Sequence, residues 1–168
     1  MTHPNLAAIT ETLNRVSNPV ISEFLRCLQQ IHPADRLPAR AAFDPMAVPH
    51  LLRHLVLVQV ERQADNHLRY LVKVAGELVL SAVPVPMMNR YLESTVNLKP
   101  GTEQQSQAAI LDVRRQVVES GRMLYWRGKL DIPFRFDFAD VEYVHAPLAE
   151  DGVTVDRVLS CFYYHGAD

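Results

Sequence analysis

The sequence predicts an α+β fold: a five-stranded antiparallel sheet with a helical insertion on one face, preceded by an N-terminal helix. Three observations predict it. Five extended segments fall into a group of two and a group of three, separated by a long helical stretch. The apolar period changes from two to about 3.6 and back across that stretch. Short polar or Gly-containing turns join the neighbouring strands, which suits antiparallel pairing. A chain of 168 residues is long enough for one domain with a substantial core.

The elements follow in order. Residues 1–16 carry thin apolar spacing (Leu6, Ile9, Leu13, Val16), compatible with a short arm helix. Ser17 is the expected N-cap of a second helix, with Pro19 in its first turn, where a missing N–H costs nothing. Val20, Phe24, Leu28 and Ile31 recur at three- and four-residue steps, and His32-Pro33 ends the helix. The stretch LPARAAFDPMAVPHLLRHLVLV (37–58) then reads as a connector. Leu37 is held extended by Pro38, Asp44-Pro45 starts about two helical turns that break at Pro49, and Arg40 is within reach of an ion pair with Asp44.

LVLVQV (55–60) is almost uniformly apolar, as a strand covered on both faces should be. HLRYLVKV (67–74) alternates, and pairs with it through the polar turn ERQADN (61–66). From Gly76, three prolines among apolar residues predict broken helices and loops. Thr102 is the expected cap of a longer helix, with Ala109, Ile110, Val113 and Val117 inward and Gly121 at its end. The last three strands are expected at 122–130, 138–148 and 155–165, the final two joined at AEDG (149–152).

Composition excludes several classes. Charged residues make up 21% and the net charge is −2, and no basic run reaches the length of a nucleic-acid patch, so no nucleic-acid partner is expected. No window is apolar enough to span a membrane, and the N-terminus lacks a signal-peptide pattern, so the expected location is the cytoplasm. Cys27 and Cys161 each lie in an apolar stretch and read as buried, reduced thiols.

The order of elements matches a PAS fold, and the residues resemble a family of small bacterial PAS-like proteins of uncharacterised function. LPARAAFDP (37–45) leading into LLRHLVLVQVE (51–61), LVKVAGELV (71–79), PLAEDG (147–152) and VDRVLSCFYY (155–164) carry the resemblance. It covers roughly residues 20 to 165. Members of that family tend to have Gly-Thr after the second strand, where this chain has Gly76-Glu77. The resemblance implies a sensory or ligand-binding domain in signal transduction, with a cavity between the sheet and the 76–121 segment. Haem and flavin, the familiar PAS cofactors, are disfavoured, because residues 76–121 hold neither a His to ligate haem nor a Cys to react with a flavin. No cofactor is identified.

The seven histidines invite a metal reading. His50 and His54 stand at i,i+4, with His67 or His145 as a further ligand, but no metalloprotease-type pattern accompanies them and no metal site is expected. For a carboxylate ligand the cationic anchors considered are Arg69, Lys73, Arg122, Arg127, Lys129 and Arg157, of which those on strands most simply face solvent. Asp137, Asp140 and Glu142 read as charges facing outward at a strand entrance. No nucleophile elbow, Walker loop or dinucleotide glycine pattern is present, so no catalytic residue is assigned.

The expectation is a PAS-type ligand-binding or protein-interaction module, not an enzyme. Residues 1–36 form the arm and helix, and 37–168 the PAS-like domain. Candidate cavity-lining residues are Leu57, Tyr70, Val72, Met87, Met88, Tyr91, Trp126 and Phe162. The stripe of Val20, Phe24, Leu28 and Ile31 is the candidate interface of a homodimer, and a protein signalling partner is the other route for a signal. The alternative is a small cone-shaped α+β enzyme of isomerase or dehydratase type, using a buried His145 with Tyr143 or Tyr70.

Overall fold

The structure, a computed structural model, describes residues 1–83, 86–95, 103–129 and 140–166, and leaves the side chains of 95 and 103–108 undescribed. Five strands form one antiparallel sheet: β1 (Leu55–Arg62), β2 (Leu68–Ala75), β3 (Leu124–Gly128), β4 (Asp140–Leu148) and β5 (Arg157–His165). Their spatial order is β2-β1-β5-β4-β3, so the first and last strands of the chain pair at the centre. The α+β class and the five-stranded antiparallel sheet agree with the sequence reading.

Helices cover both faces. On one lie α1 (Pro4–Arg15) and α2 (Pro19–Ile31). Ile9, Ile21, Phe24, Leu25 and Leu28 pack there with Leu55, Leu57, Val144, Leu148, Leu159 and Cys161. On the other lies the insertion between β2 and β3, comprising α3 (Glu77–Ala82), the single turn α4 (Leu92–Thr95) and α5 (Glu103–Ser120). Val79, Met87, Val117 and Val118 pack there with Val56, Val58, Tyr70, Val72 and Val158. Strand alternation explains the split: in β1, Leu55 and Leu57 turn to one layer, Val56 and Val58 to the other. A bulge between Leu57 and Val58 shifts the register with β2 and leaves Val74 partly exposed.

The N-terminal elements differ from expectation in informative ways. The arm is a full helix docked on the domain: His3 caps it at the Asn5 N–H, and Asn5 Nδ2 donates to the Gly121 carbonyl. The cap of α2 is Asn18, not Ser17; its Oδ1 accepts from the Val20 and Ile21 N–H groups at 2.9 and 3.1 Å. The stripe expected to form a dimer interface is covered within the chain. Phe24 and Leu28 are buried against the sheet, and Val20 and Ile31 pack at the rim of that core. Burying each such side chain stabilises the fold by roughly 1.5–3 kcal/mol, so α2 is a structural layer of this domain.

The connector is built of 3₁₀ turns at Arg40–Ala42, Pro45–Ala47 and Pro49–His54. Asp44 caps the second as expected, accepting from the Met46 N–H at 2.9 Å. Arg40 does not pair with Asp44; its Nη1 donates to the Phe43 carbonyl at 3.0 Å. On α5, Ala109 is exposed, whereas Ile110, Val113 and Val117 turn inward as expected, joined by Val118 and by the buried Arg114. The expected Thr102 cap lies outside the described residues. The β4–β5 turn is longer than a tight hairpin: Asp151 Oδ1 accepts from Val153 and Thr154, while Gly152 takes a φ of +79°.

Candidate functional site

Alternation along β2, β4 and β5 brings a set of aromatic and polar side chains under the helical insertion. In β4, Val141, Tyr143 and His145 turn to that layer; in β5, Ser160, Phe162 and Tyr164 do. Tyr70 reaches it from β2 and Trp126 from β3. Tyr143 sits at the centre, its ring 4.5 Å from that of His145, 5.3 Å from Trp126 and 5.6 Å from Phe162. His145 Nδ1 lies 2.5 Å from Ser160 Oγ, across the directly paired β4 and β5 positions.

Over this layer α5 places Arg114. It stands four residues after Ile110 and three before Val117, so helical spacing alone puts it on the buried stripe, and only 5% of it is exposed. Its Nη1 donates to the Ile110 carbonyl at 3.1 Å, while Nε has no hydrogen-bond partner. Among the described residues no carboxylate forms an ion pair with it. Burial lowers its pKa to about 10, and the groups whose charge it feels are the phenols of Tyr143, Tyr70 and Tyr164. It therefore remains a cation at neutral pH, in a setting of neutral hydroxyls.

The neighbours are tuned accordingly. Burial raises the Tyr70 pKa to about 12, with Arg114 opposing and Glu93 of α4 reinforcing that rise; its hydroxyl is buried with no hydrogen-bond partner. Burial likewise raises Tyr143 and Tyr164 against the pull of Arg114. Burial first, and the Arg114 charge second, hold His145 well below its ordinary value, so the imidazole is neutral. The layer thus presents the positive charge of Arg114 among uncharged donors, with the Glu93 carboxylate near enough to act on Tyr70.

The expected cavity residues divide. Tyr70, Val72 and Met87 meet in the insertion-side core, with Phe162 and Trp126 joining from the Tyr143 cluster. Leu57 does not join them: its position in the pleat turns it to the α1–α2 layer. Met88 is exposed. Tyr91 lies at the edge of the sheet, where its hydroxyl donates to Glu61 at 2.8 Å and Arg69 sits 3.4 Å over its ring. His50 and His54 also part. His50 is exposed and meets Glu23 at 2.6 Å, whereas buried His54 is 3.0 Å from the Phe162 carbonyl. No cluster of three or more His, Cys, Asp or Glu suited to a metal occurs among the described residues.

A described cleft near Asn5, Ile9, Leu28, His32 and Ala146 lies on the other face, and has room for no more than a water-sized molecule. No protein-family model matches the chain, and no curated protein matches it. No helix among the described residues is long and apolar enough to cross a membrane.

Proposed function

We propose that this chain is a PAS-type sensory module that binds a small molecule between its sheet and the helical insertion, with the cytoplasm as its place of action. The element order supports the reading: two strands, a helical insertion on one face and three strands, all in one antiparallel sheet. One observation carries it, namely Arg114 and Tyr70 buried under that insertion, with Arg114 Nε and the Tyr70 hydroxyl lacking a hydrogen-bond partner. Buried polar groups that no fold interaction satisfies mark places where something else is bound. The signal would leave by association with a protein partner or a second copy, using a surface other than the α2 stripe.

Native mass spectrometry of the purified protein, compared with its denatured mass, tests the reading. A stoichiometric excess mass is expected. Identical masses would instead mark a packed interior and a module that works by protein contact alone.

The His145–Tyr143 pair is the observation that favours an enzyme. It meets a physical obstacle, because a general base works best with a pKa near the working pH. His145, held well below its ordinary value by burial and by Arg114, binds a proton too weakly for that task. Its Nδ1 is already engaged with Ser160 across the β4–β5 pair.

A further inference from the structure

The Arg114 guanidinium is the one described side chain that the fold buries as a cation without giving it an anion. A charge taken out of water is costly unless paired and hydrogen-bonded, so a buried cation with an unfilled donor calls for an acceptor. Among the described residues its one hydrogen bond is to a carbonyl of its own helix, one turn back. A second group beside it, the Tyr70 hydroxyl, is also buried without a partner. Both deficits would be met by one acceptor carrying negative charge. The planar fork of arginine fits a carboxylate in two-point fashion, and a neutral phenol can donate a further bond.

We propose that the space between α5 and the sheet is a binding site for a small organic carboxylate, whose acid group pairs with Arg114 and Tyr70 while its apolar body lies against Tyr143, Phe162 and Trp126. This rests on the binding-module reading above and adds the class of ligand. The rings favour an aromatic or branched apolar body over a sugar or a peptide. His145 completes the selection. Kept neutral, it offers no second charge, so the site balances one negative charge and disfavours a dianion.

The test uses the full chain, unfolded and refolded to strip bound molecules, as wild type, Arg114→Met and Arg114→Lys. In the stripped state Arg114→Met should unfold at a temperature equal to or above that of wild type, because an uncompensated buried cation has been replaced by an apolar side chain. A lower midpoint, or failure to fold, would show that the cation serves the fold and would overturn the proposal. Benzoate and phenylacetate are then titrated beside their neutral amides, with calorimetry as the readout in all three proteins and the Arg114 Nε–H resonance as a second readout in wild type. The acids should bind and shift that resonance, the amides should not, and Arg114→Met should weaken acid binding on the order of tenfold to hundredfold, with Arg114→Lys between. Equal binding of acids and amides, unchanged in Arg114→Met, overturns the carboxylate assignment and leaves the binding-module reading standing. If none of the four probes binds, the molecule released from the protein as purified decides: an anion supports the proposal, and a neutral molecule overturns it. Absence of any released molecule overturns both readings.

Discussion

Glu142 and His165 meet 3.5 Å apart across the β4–β5 pair, on the face turned toward α1 and α2. Asp140, two residues earlier, stays at the strand entrance and pairs with Arg127, but Glu142 is almost wholly buried, and its other oxygen accepts from the Tyr125 hydroxyl at 3.1 Å. Its expected outward position is therefore corrected. Glu142 shares the pleat position of Val144, Ala146 and Leu148, and this inward side takes precedence over the residue's polarity. Asp137 lies outside the described residues. Burial and the Glu142 carboxylate both raise the Tyr125 pKa, which keeps that phenol a donor.

Glu142→Ala should destabilise the protein by roughly 3 kcal/mol, since it removes a buried acceptor and opens a gap. Glu142→Gln keeps an acceptor for Tyr125 and should cost about 1 kcal/mol. Tyr125→Phe combined with Glu142→Ala should cost less than the sum of the two single changes. Urea unfolding of the four variants measures this, and full additivity would show that the two groups do not interact.

Gly76 joins β2 to α3 beneath the last 3₁₀ turn. A Cβ at this position would stand 2.3 Å from the Leu52 carbonyl oxygen and 2.4 Å from the Arg53 carbonyl carbon and oxygen, all of them backbone. Its own N–H donates to the Leu55 carbonyl at 2.7 Å, so the segment cannot retreat without losing that bond. Gly76→Ala should therefore cost roughly 3 kcal/mol or more. Thermal unfolding checks it, and a change below about 1 kcal/mol would mean that the turn yields freely.

Phe24 and Leu28 separate a dimer surface from a core layer. Phe24→Ala should cost about 3–5 kcal/mol of monomer stability, and replacing both residues by Glu should prevent folding, not simply change the oligomeric state. A folded, monomeric double-Glu variant, seen by sedimentation and circular dichroism, would return the stripe to the role of an interface.

The sheet was legible because alternation, uniform apolar runs and turn residues act locally, and each of the five strands was found within about two residues of its position. The destination of the α2 stripe was not legible, because an amphipathic face states that it needs cover without stating what covers it. Asn18 against Ser17 was a choice between two competent caps one residue apart, and only the geometry decides. Asn18→Ala should cost about 1 kcal/mol and Ser17→Ala close to nothing, as thermal unfolding of both would show. Of the site, Tyr70, Val72, Met87, Trp126 and Phe162 were found as apolar strand or insertion residues. Arg114 was missed although its spacing from Ile110 and Val117 places it on the buried stripe, because a lone arginine inside an apolar period carries no local sign of its burial.

His145 makes the last prediction one of pH. Its proton affinity in the folded protein is well below the ordinary value of 6.5, chiefly through burial and secondly through Arg114. His54 and His3 are also lowered, in each case mainly by burial. Above pH 6.5 these histidines are neutral in both the folded and unfolded chain and leave stability unchanged. Below it the unfolded chain takes up protons that the folded chain refuses, so stability falls as pH drops toward the folded values. A strongly lowered group contributes up to about 1.4 kcal/mol per pH unit in that window. Urea unfolding at pH 7.5, 6.0 and 5.0 should show wild type losing stability below pH 6.5, mostly in the lower of the two steps. His145→Asn, whatever its cost at pH 7.5, should show a visibly shallower loss. Parallel curves for the two proteins would mean that His145 gains its proton inside the fold as easily as outside it, against the burial and the positive charge that surround it.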